Sequence, residues 1–285
     1  MRNILTLKHC LLGLFSSKTR FQLAFLLTLS LTTGWNRAQA QTNAAAPPPK
    51  LTNLLAQIDA AANQHDVRAV MQFYGQNFTH SDGLTRPNME KALTQLWQRY
   101  PRLKYQTQLQ NWRAEGNAIV AETVTNITGM GAQGSNNLTL NATMKSLQRY
   151  ENDKIVRQDV LSERSQLSAG AKPPTVDMKL PEQVRVGQQY NFDAVVQEPL
   201  GNDYLLGAAI EEPINPANYL NPTTVDLELL SAGGLFKVAR APATADTRWV
   251  SAVLIRGDGM TMVTQRLQVV GGNSPRRLEP GARSQ

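Results

Sequence analysis

Two stretches in the middle of the chain alternate between apolar and polar residues, and this period of two constrains the fold more than any other feature. Residues 103–110 are LKYQTQLQ, and residues 138–145 are LTLNATMK. Alternation of this kind is typical of antiparallel strands with one buried and one solvated face. The neighbouring segments are rich in the Val, Ile and Thr that suit a pleated surface. Four consecutive strands are therefore predicted: Leu103–Trp112, Asn117–Thr128, Leu138–Tyr150 and Lys154–Arg164.

Three helical segments precede this sheet and are expected to cover its apolar face. Apolar residues recur at helical spacing from Leu51 to Ala62, which predicts the first helix. Asp66 is placed to cap the second helix and Thr85 the third. A short strand over Phe78–Leu84, closing on an Asp-Gly turn, is predicted between them. The sequence thus predicts an α+β cone, with three helices on a curved antiparallel sheet.

The second half of the chain shows strand and turn signals but no helical pattern. The predicted cone occupies residues 51–168, and a linker is predicted at residues 169–174. Eight short strands are then predicted between Val176 and Val270, separated by turns rich in Gly, Pro and Asn. Many short strands at this spacing predict an all-β sandwich over residues 175–271. Residues 272–285 contain few apolar side chains and are predicted to be a disordered tail.

Residues 1–40 have the composition of an export signal. They carry five basic and no acidic residues, then an apolar run at Phe21–Leu29, then the small residues Ala38-Gln39-Ala40. The apolar run is shorter than the roughly 20 residues of a membrane span, so cleavage after Ala40 is expected. The alternative is an uncleaved signal that anchors the chain in the membrane. A Pro-rich linker at residues 41–50 follows, and a periplasmic or secreted location is expected.

Charge and metal-ligand content limit the partners of the exported chain. Beyond residue 40 it has 24 basic and 22 acidic residues and no basic run, so a nucleic-acid partner is not expected. The only cysteine, Cys10, lies in the signal, so the exported chain has no disulfide. Its histidines are His65 and His80, and no third ligand has a recognisable spacing. No metal and no cofactor are predicted.

The order of the predicted elements resembles the NTF2-like (SnoaL-like) superfamily over about Leu51–Ser165. In that family a pocket usually lies between the helices and the concave face of the sheet. The second half resembles an immunoglobulin-like module, and the whole is similar to uncharacterised secreted two-domain proteins of cyanobacteria. The resemblance therefore implies an architecture, and a cell with a periplasm, more than an activity. The segments that carry it are Asp66–Tyr74, Phe78–Gly83, Leu147–Tyr150, Lys154–Arg157, Pro199–Gly201 and Trp249–Val253.

The family includes enzymes, such as ketosteroid isomerase and polyketide cyclases, and proteins that only bind or pair with partners. The isomerase pattern needs a carboxylate base after the second helix, a tyrosine on the first helix and a protonated acid on the third long strand. Asp82 stands where the base would be, but Ile58 and Ser146 stand at the other two positions. A base without its oxyanion donors lacks the larger electrostatic contribution, so steroid-type isomerisation is not expected.

His80 and Asp82 are the candidate catalytic pair. They lie two residues apart on a predicted strand, so both side chains can face one way and act as base and orienting partner. The alternative, which the residue types favour, is that they satisfy the turn and the cap of the third helix. Six aromatic or acidic residues are candidates for ligand binding, with core packing or solvated ion pairs as their alternative: Tyr74, Trp97, Tyr100, Trp112, Glu122 and Asp159.

Three functions remain open at the level of the sequence. Since no catalytic set is assembled, the leading expectation is an exported, non-catalytic protein that binds an unknown protein or an envelope component. The alternative is a small-molecule enzyme or carrier, isomerase- or cyclase-like, that holds a small apolar ligand in the pocket and uses Asp82 and His80 as acid/base groups. A third possibility is a homodimer formed through the sheet of the cone.

Overall fold

The structure is a computed structural model that describes residues 46–131, 137–220, 225–257 and 259–271. The predicted export signal, half of the linker at 41–50 and the predicted tail lie outside the described residues. The helices of the described chain are α1 (Pro49–Asn63), α2 (Val67–Met71), α3 (Arg86–Arg99) and α4 (Pro216–Leu220). Its strands are β1 (Tyr74–His80), β2 (Lys104–Glu115), β3 (Ala118–Met130), β4 (Thr139–Glu151), β5 (Lys154–Gly170), β6 (Val176–Lys179), β7 (Gln183–Arg185), β8 (Gln189–Val196), β9 (Leu205–Pro213), β10 (Glu228–Leu229), β11 (Gly234–Arg240), β12 (Asp246–Arg256) and β13 (Gly259–Val270).

The protein has an α+β fold with mostly antiparallel strands, arranged in one large and one small sheet. The large sheet has the strand order β10-β9-β12-β13-β5-β4-β3-β2, and the small sheet has the order β11-β8-β6. Two short strands join the large sheet in parallel, β1 beside β5 and β7 beside β13. Strands from both halves of the chain therefore belong to the same sheet.

The four central strands predicted from the alternating pattern are confirmed as β2 to β5. The main difference lies in β5, which was expected to end at Arg164 and runs on to Gly170. Ser165–Gly170 is a small and polar segment that resembles a loop in sequence. It is held as a strand because its backbone pairs with β13, with Gln166 opposite Val263 and Leu167 opposite Met262.

The predicted helix caps are confirmed. The Asp66 side chain accepts a hydrogen bond from the backbone N–H of Ala69, at 2.9 Å. Thr85 begins α3 in a capping box with Asn88, in which each side chain bonds the backbone N–H of the other residue. Such caps satisfy N–H groups that have no partner within the helix.

Two expectations around these helices are corrected by the structure. The strand expected at Phe78–Leu84 lies instead at Tyr74–His80, and it pairs in parallel with β5. No helix was expected in the second half, yet α4 is present. The side chain of Asn215 accepts hydrogen bonds from the N–H groups of Ala217 and Asn218, and Pro216 occupies the first turn. An Asn-Pro pair suits a helix start, so the signal was present in the sequence.

Apolar side chains are buried on two sides of the large sheet. In the first half, α1 and α3 pack on β2 to β5, where Leu51, Leu103 and Ile155 are almost completely buried. In the second half, the small sheet packs on β12 and β13, where Leu254 and Leu267 are fully buried. β1 and β13 lie along the same edge of β5, one beside residues 155–158 and the other beside 164–170. The two halves meet at the point where β1 gives way to β13.

Candidate functional site

A cavity of about 430 Å³ lies between the helices and the sheet of the first half. Its lining is mainly apolar. α1 contributes Leu55 and Ile58, α3 contributes Leu93 and Leu96, and the sheet contributes Met144. A concave, mostly apolar space of this size, with a few polar groups, is the usual form of a small-molecule site.

The second half of the chain closes one end of this cavity. Asn218 and Tyr219 of α4 and Trp249 of β12 all belong to its lining. The rings of Tyr219 and Trp249 pack edge to face, with centroids 4.8 Å apart, and Tyr219 also lies 6.5 Å from the ring of His80. The cavity is therefore walled by both halves of the chain.

Behind this end of the cavity, Arg266 of β13 forms a buried ion pair with Asp82 and a partly buried one with Glu163. Its guanidinium donates to both oxygens of Asp82, at 2.9 and 2.8 Å, and to Oε2 of Glu163 at 3.0 Å. The Tyr219 hydroxyl donates to Oδ2 of Asp82 at 2.7 Å, and the Trp249 indole N–H donates to Oε2 of Glu163 at 3.0 Å. The side chains of Arg266 and Asp82 are only 1% and 3% exposed. We refer to these five residues as the Arg266 network.

The turn that carries Asp82 is fixed to β5 by hydrogen bonds. The backbone N–H of Ser81 donates to the carbonyl of Gln158 at 2.9 Å, and the N–H of Val160 donates to the Ser81 hydroxyl at 3.1 Å. The same hydroxyl lies 3.2 Å from Oδ1 of Asp82 and can donate to it. Asp82 is therefore positioned by local contacts with β5 and held in place by Arg266 from the second half.

Asp82 is a carboxylate in this environment and not a free base. Burial opposes its ionisation, but the hydrogen bonds and charge of Arg266, together with the Tyr219 hydrogen bond, lower the pKa of Asp82 below its ordinary value. Burial and the charges of Glu163 and Asp82 raise the pKa of Tyr219, which therefore remains a proton donor. Both oxygens of Asp82 accept hydrogen bonds from Arg266, and Oδ2 also accepts one from Tyr219. Asp82 is therefore a poor acceptor for a proton from a ligand.

His80 faces the cavity as a neutral ring. The His80 side chain is 2% exposed, and this burial lowers the pKa of the ring. The negative charge of Asp82 raises the pKa and the positive charge of Arg266 lowers it, and the net shift is downward. The backbone N–H of Asp82 donates to Nδ1 at 3.1 Å, so the proton of the neutral ring is placed on Nε2. His80 belongs to the cavity lining and can offer this N–H to a ligand.

The stability of the protein is expected to fall with pH below about 6.5, and replacement of His80 by Asn should flatten this dependence. The pKa of His80 is lower in the folded state than in the unfolded chain. As the pH falls below about 6.5, the unfolded chain therefore binds more protons than the folded protein does, and the folded state loses stability. An Asn amide oxygen can still accept from the N–H of Asp82. Urea unfolding between pH 7 and 5 measures the effect, and equal slopes for both proteins would contradict it.

The other end of the cavity carries a second set of polar groups. The indole N–H of Trp97 donates to the Tyr105 hydroxyl at 2.8 Å, and burial raises the pKa of Tyr105 to about 12. Burial, and to a lesser degree Tyr105, raise the pKa of Tyr74 to about 12. The carboxylate of Asp59 accepts from the N–H and the hydroxyl of Thr107, both at 2.7 Å. At physiological pH both tyrosines are therefore neutral hydroxyls.

Four of the eight residues singled out from the sequence line the cavity: Tyr74, His80, Trp97 and Tyr100. A fifth, Asp82, lies directly behind the lining as part of the Arg266 network. Of the two residues that replace the isomerase groups, Ile58 lines the cavity, and the buried hydroxyl of Ser146 has no hydrogen-bond partner in the described part of the chain.

The remaining three residues lie away from the cavity. Trp112 packs against the apolar cluster under α1. Glu122 forms an ion pair with Lys145 at 2.6 Å, and Asp159 forms one with Arg157 at 2.9 Å. Both ion pairs are partly exposed to solvent. These positions agree with the alternative of core packing and solvated ion pairs.

Sequence reasoning missed most of the Arg266 network. Arg266 occupies the middle of an otherwise apolar and Thr/Gln-rich strand, which was a detectable signal because a charge in such a strand needs a buried partner. The partner could not be inferred, since Asp82 lies 184 residues away in the chain. Tyr219 was missed because α4 was not predicted.

None of the helices in the described ranges combines the length and the apolar character needed to cross a bilayer.

The chain has a distant structural similarity to solved proteins of NTF2-like or cystatin fold over about 40% of its length. A cystatin-fold protein from Novosphingobium aromaticivorans is 16% identical, covers 40% of this chain and 98% of that chain, and gives a TM-score of 0.31. A conserved protein from Planctomyces limnophilus is 13% identical over 39% and 91% of the two chains, with a TM-score of 0.33. An epoxide hydrolase from Mycobacterium tuberculosis is 12% identical, covers 39% of this chain and 80% of that chain, and gives a TM-score of 0.29.

A search of the curated proteins found no match to the chain. Among protein families, residues 171–270 match one that is described as a domain of unknown function (DUF8623). The match ends at the last residue of β13 and includes Tyr219, Trp249 and Arg266, so all residues that the second half contributes to the site lie within it.

Proposed function

We propose that this protein is an exported, non-catalytic binding protein that holds a small, mainly apolar molecule in the cavity of its first half. In this proposal the first half is an NTF2-like cone, and the second is an immunoglobulin-like sandwich that closes one end of the cavity. Export is supported by the basic and apolar segments and the Ala-Gln-Ala site within residues 1–40.

The observation that carries the proposal is the cavity itself. Its volume of about 430 Å³ falls within the range of roughly 300–1,000 Å³ that is usual for small-molecule sites. Close packing normally leaves few voids larger than a water molecule in a protein interior. A cavity of this size with apolar walls and a few hydrogen-bonding groups, such as His80 and Tyr105, is suited to a ligand.

Binding is favoured over catalysis because the most promising acid/base group is already engaged. Asp82 accepts hydrogen bonds from Arg266 and Tyr219, and its pKa is lowered, so removal of a proton from a ligand would disrupt a buried ion pair. His80 can donate through Nε2, but its Nδ1 already accepts from the backbone. Such groups orient a ligand more readily than they transfer its protons.

The full chain is expected to bind the uncharged dye N-phenyl-1-naphthylamine saturably, and an Ala92→Phe variant should bind it at least about tenfold more weakly. Ala92 lines the cavity on α3, so a phenyl group there would occupy ligand space. Fluorescence titration measures the dissociation constants.

Ala114→Phe is the matched control, because Ala114 is exposed on β2 and does not line the cavity. It should bind the dye like the wild type. The proposal fails if the dye does not saturate the wild type, or if both phenylalanine variants bind it with wild-type affinity.

A further inference from the structure

We infer that the ligand of the cavity is an organic cation, an amine or quaternary ammonium group carried on an apolar body. The inference rests on the proposed binding function and names the chemical class of the molecule bound. It is drawn from an unpaired carboxylate in the lining, from the charge balance around the cavity, and from its aromatic walls.

Asp59 is a carboxylate in the lining of a mainly apolar cavity and lacks a cationic partner among the described residues. Its oxygens accept from the N–H and the hydroxyl of Thr107, at 2.7 Å each. Among the residues that the structure describes, no Lys, Arg or His lies within ion-pair distance of it. A carboxylate has room for about four hydrogen bonds, so acceptor capacity remains for a ligand. A half-buried charge without a counter-charge costs free energy that a bound cation would offset.

The charges around the whole cavity also sum to a negative value. Asp59 and Glu163 belong to the lining, and Asp82 lies directly behind it. Arg266 balances one of these carboxylates, and Arg99 belongs to the lining but is exposed to solvent. Since His80 is neutral, the three carboxylates exceed the two guanidinium groups by one negative charge even when the exposed Arg99 is counted, and by two when it is not. A bound carboxylate or phosphate would be repelled, and a cation would complete the balance.

The walls of the cavity present aromatic rings at both ends. Trp249 and Tyr219 lie at the end that the second half closes, and Trp97 and Tyr105 lie among the helices and the sheet. The faces of such rings attract cations, with the largest gain where water is excluded. Tyr74 also belongs to the lining, and its neutral hydroxyl can accept a hydrogen bond from an ammonium N–H.

The test compares benzyltrimethylammonium with its uncharged isostere neopentylbenzene, each used to displace N-phenyl-1-naphthylamine from the full chain. The cation should compete at least about tenfold better, because shape is the same and only the charge differs. In Asp59→Asn this preference, taken as the ratio of the two competitors measured on the same variant so that any change in dye affinity cancels, should fall to about twofold or less. Asp153→Asn is the control, since Asp153 pairs with exposed Lys50.

The outcomes separate this inference from the proposed function. If the dye binds and the two isosteres compete equally, the cavity binds small molecules but does not select cations, and the inference is overturned. The inference is also overturned if Asp59→Asn keeps the full preference for the cation. If the dye itself does not bind, the proposed function fails, and the inference fails with it.

Discussion

Replacement of Arg266 by Met is expected to lower the free energy of unfolding by about 3–5 kcal/mol, because it leaves two carboxylates without their buried counter-charge. The Arg266 side chain is 1% exposed and donates three hydrogen bonds of 2.8–3.0 Å to Asp82 and Glu163. Methionine keeps an apolar stem in place of the arginine stem and removes the guanidinium, so most of the effect is electrostatic. Urea unfolding at pH 7 gives the free energy.

Arg157→Met is the matched control for this experiment. Arg157 also pairs with one carboxylate through two nitrogens, donating to both oxygens of Asp159 at 2.9 Å, but its side chain is 56% exposed. An exposed pair contributes about 0–1 kcal/mol, so the control should lose no more than that. Equal losses in the two variants would show that burial does not set the strength of the Arg266 network.

A double variant tests whether the loss comes from the stranded carboxylate. Asp82→Asn combined with Arg266→Met removes one charge of each sign, and should be more stable than Arg266→Met alone by about 1–3 kcal/mol. Glu163 is 26% exposed and retains the hydrogen bond from Trp249, so it tolerates the loss of Arg266 better than Asp82 does. A double variant that is less stable than the single one would contradict this explanation.

The local features of the fold could be predicted from the sequence because their signals are local. The alternation in residues 103–110 and 138–145 identified two strands, and Asp66 and Thr85 were correctly placed as helix caps. Aromatic residues at helical spacing were expected to be core or pocket residues. Trp97 turned out to be both, since it is buried and also lines the cavity.

The long-range features could not be predicted in the same way. Ser165–Gly170 has no strand pattern of its own and is a strand only because β13, about 100 residues later, pairs with it. The position of Asp82 suggested a catalytic base, but its chemistry is determined by Arg266, which is far away in sequence. A single sequence specifies which residues need a partner and leaves open which distant residue supplies it.

The pairing of the two halves leads to the second large effect, at Gly259. This residue begins β13 and pairs with Gly170, the last residue of β5. A Cβ at position 259 would fall on the backbone carbonyl of Lys172 and close to the nitrogen of Pro173. Backbone atoms next to a proline cannot move aside as a flexible side chain can. The φ angle of Gly259 is not positive, so the obstacle is crowding and not the dihedral angle.

Gly259→Ala is therefore expected to lower the free energy of unfolding by about 1–3 kcal/mol or more, as overpacking does elsewhere. Gly271→Ala is the control just beyond the other end of β13, where a Cβ would meet no atom of the described residues within 4 Å, and it should change stability by no more than about 0.5 kcal/mol. Because β5 and β13 share one sheet, the loss in Gly259→Ala should appear in a single urea transition, whether unfolding is followed through Trp97 or Trp249. Two separate transitions in the wild type would show that the two halves do not unfold as one unit. Equal stability of the two alanine variants would show that Gly259 is not packed against the backbone of Lys172 and Pro173.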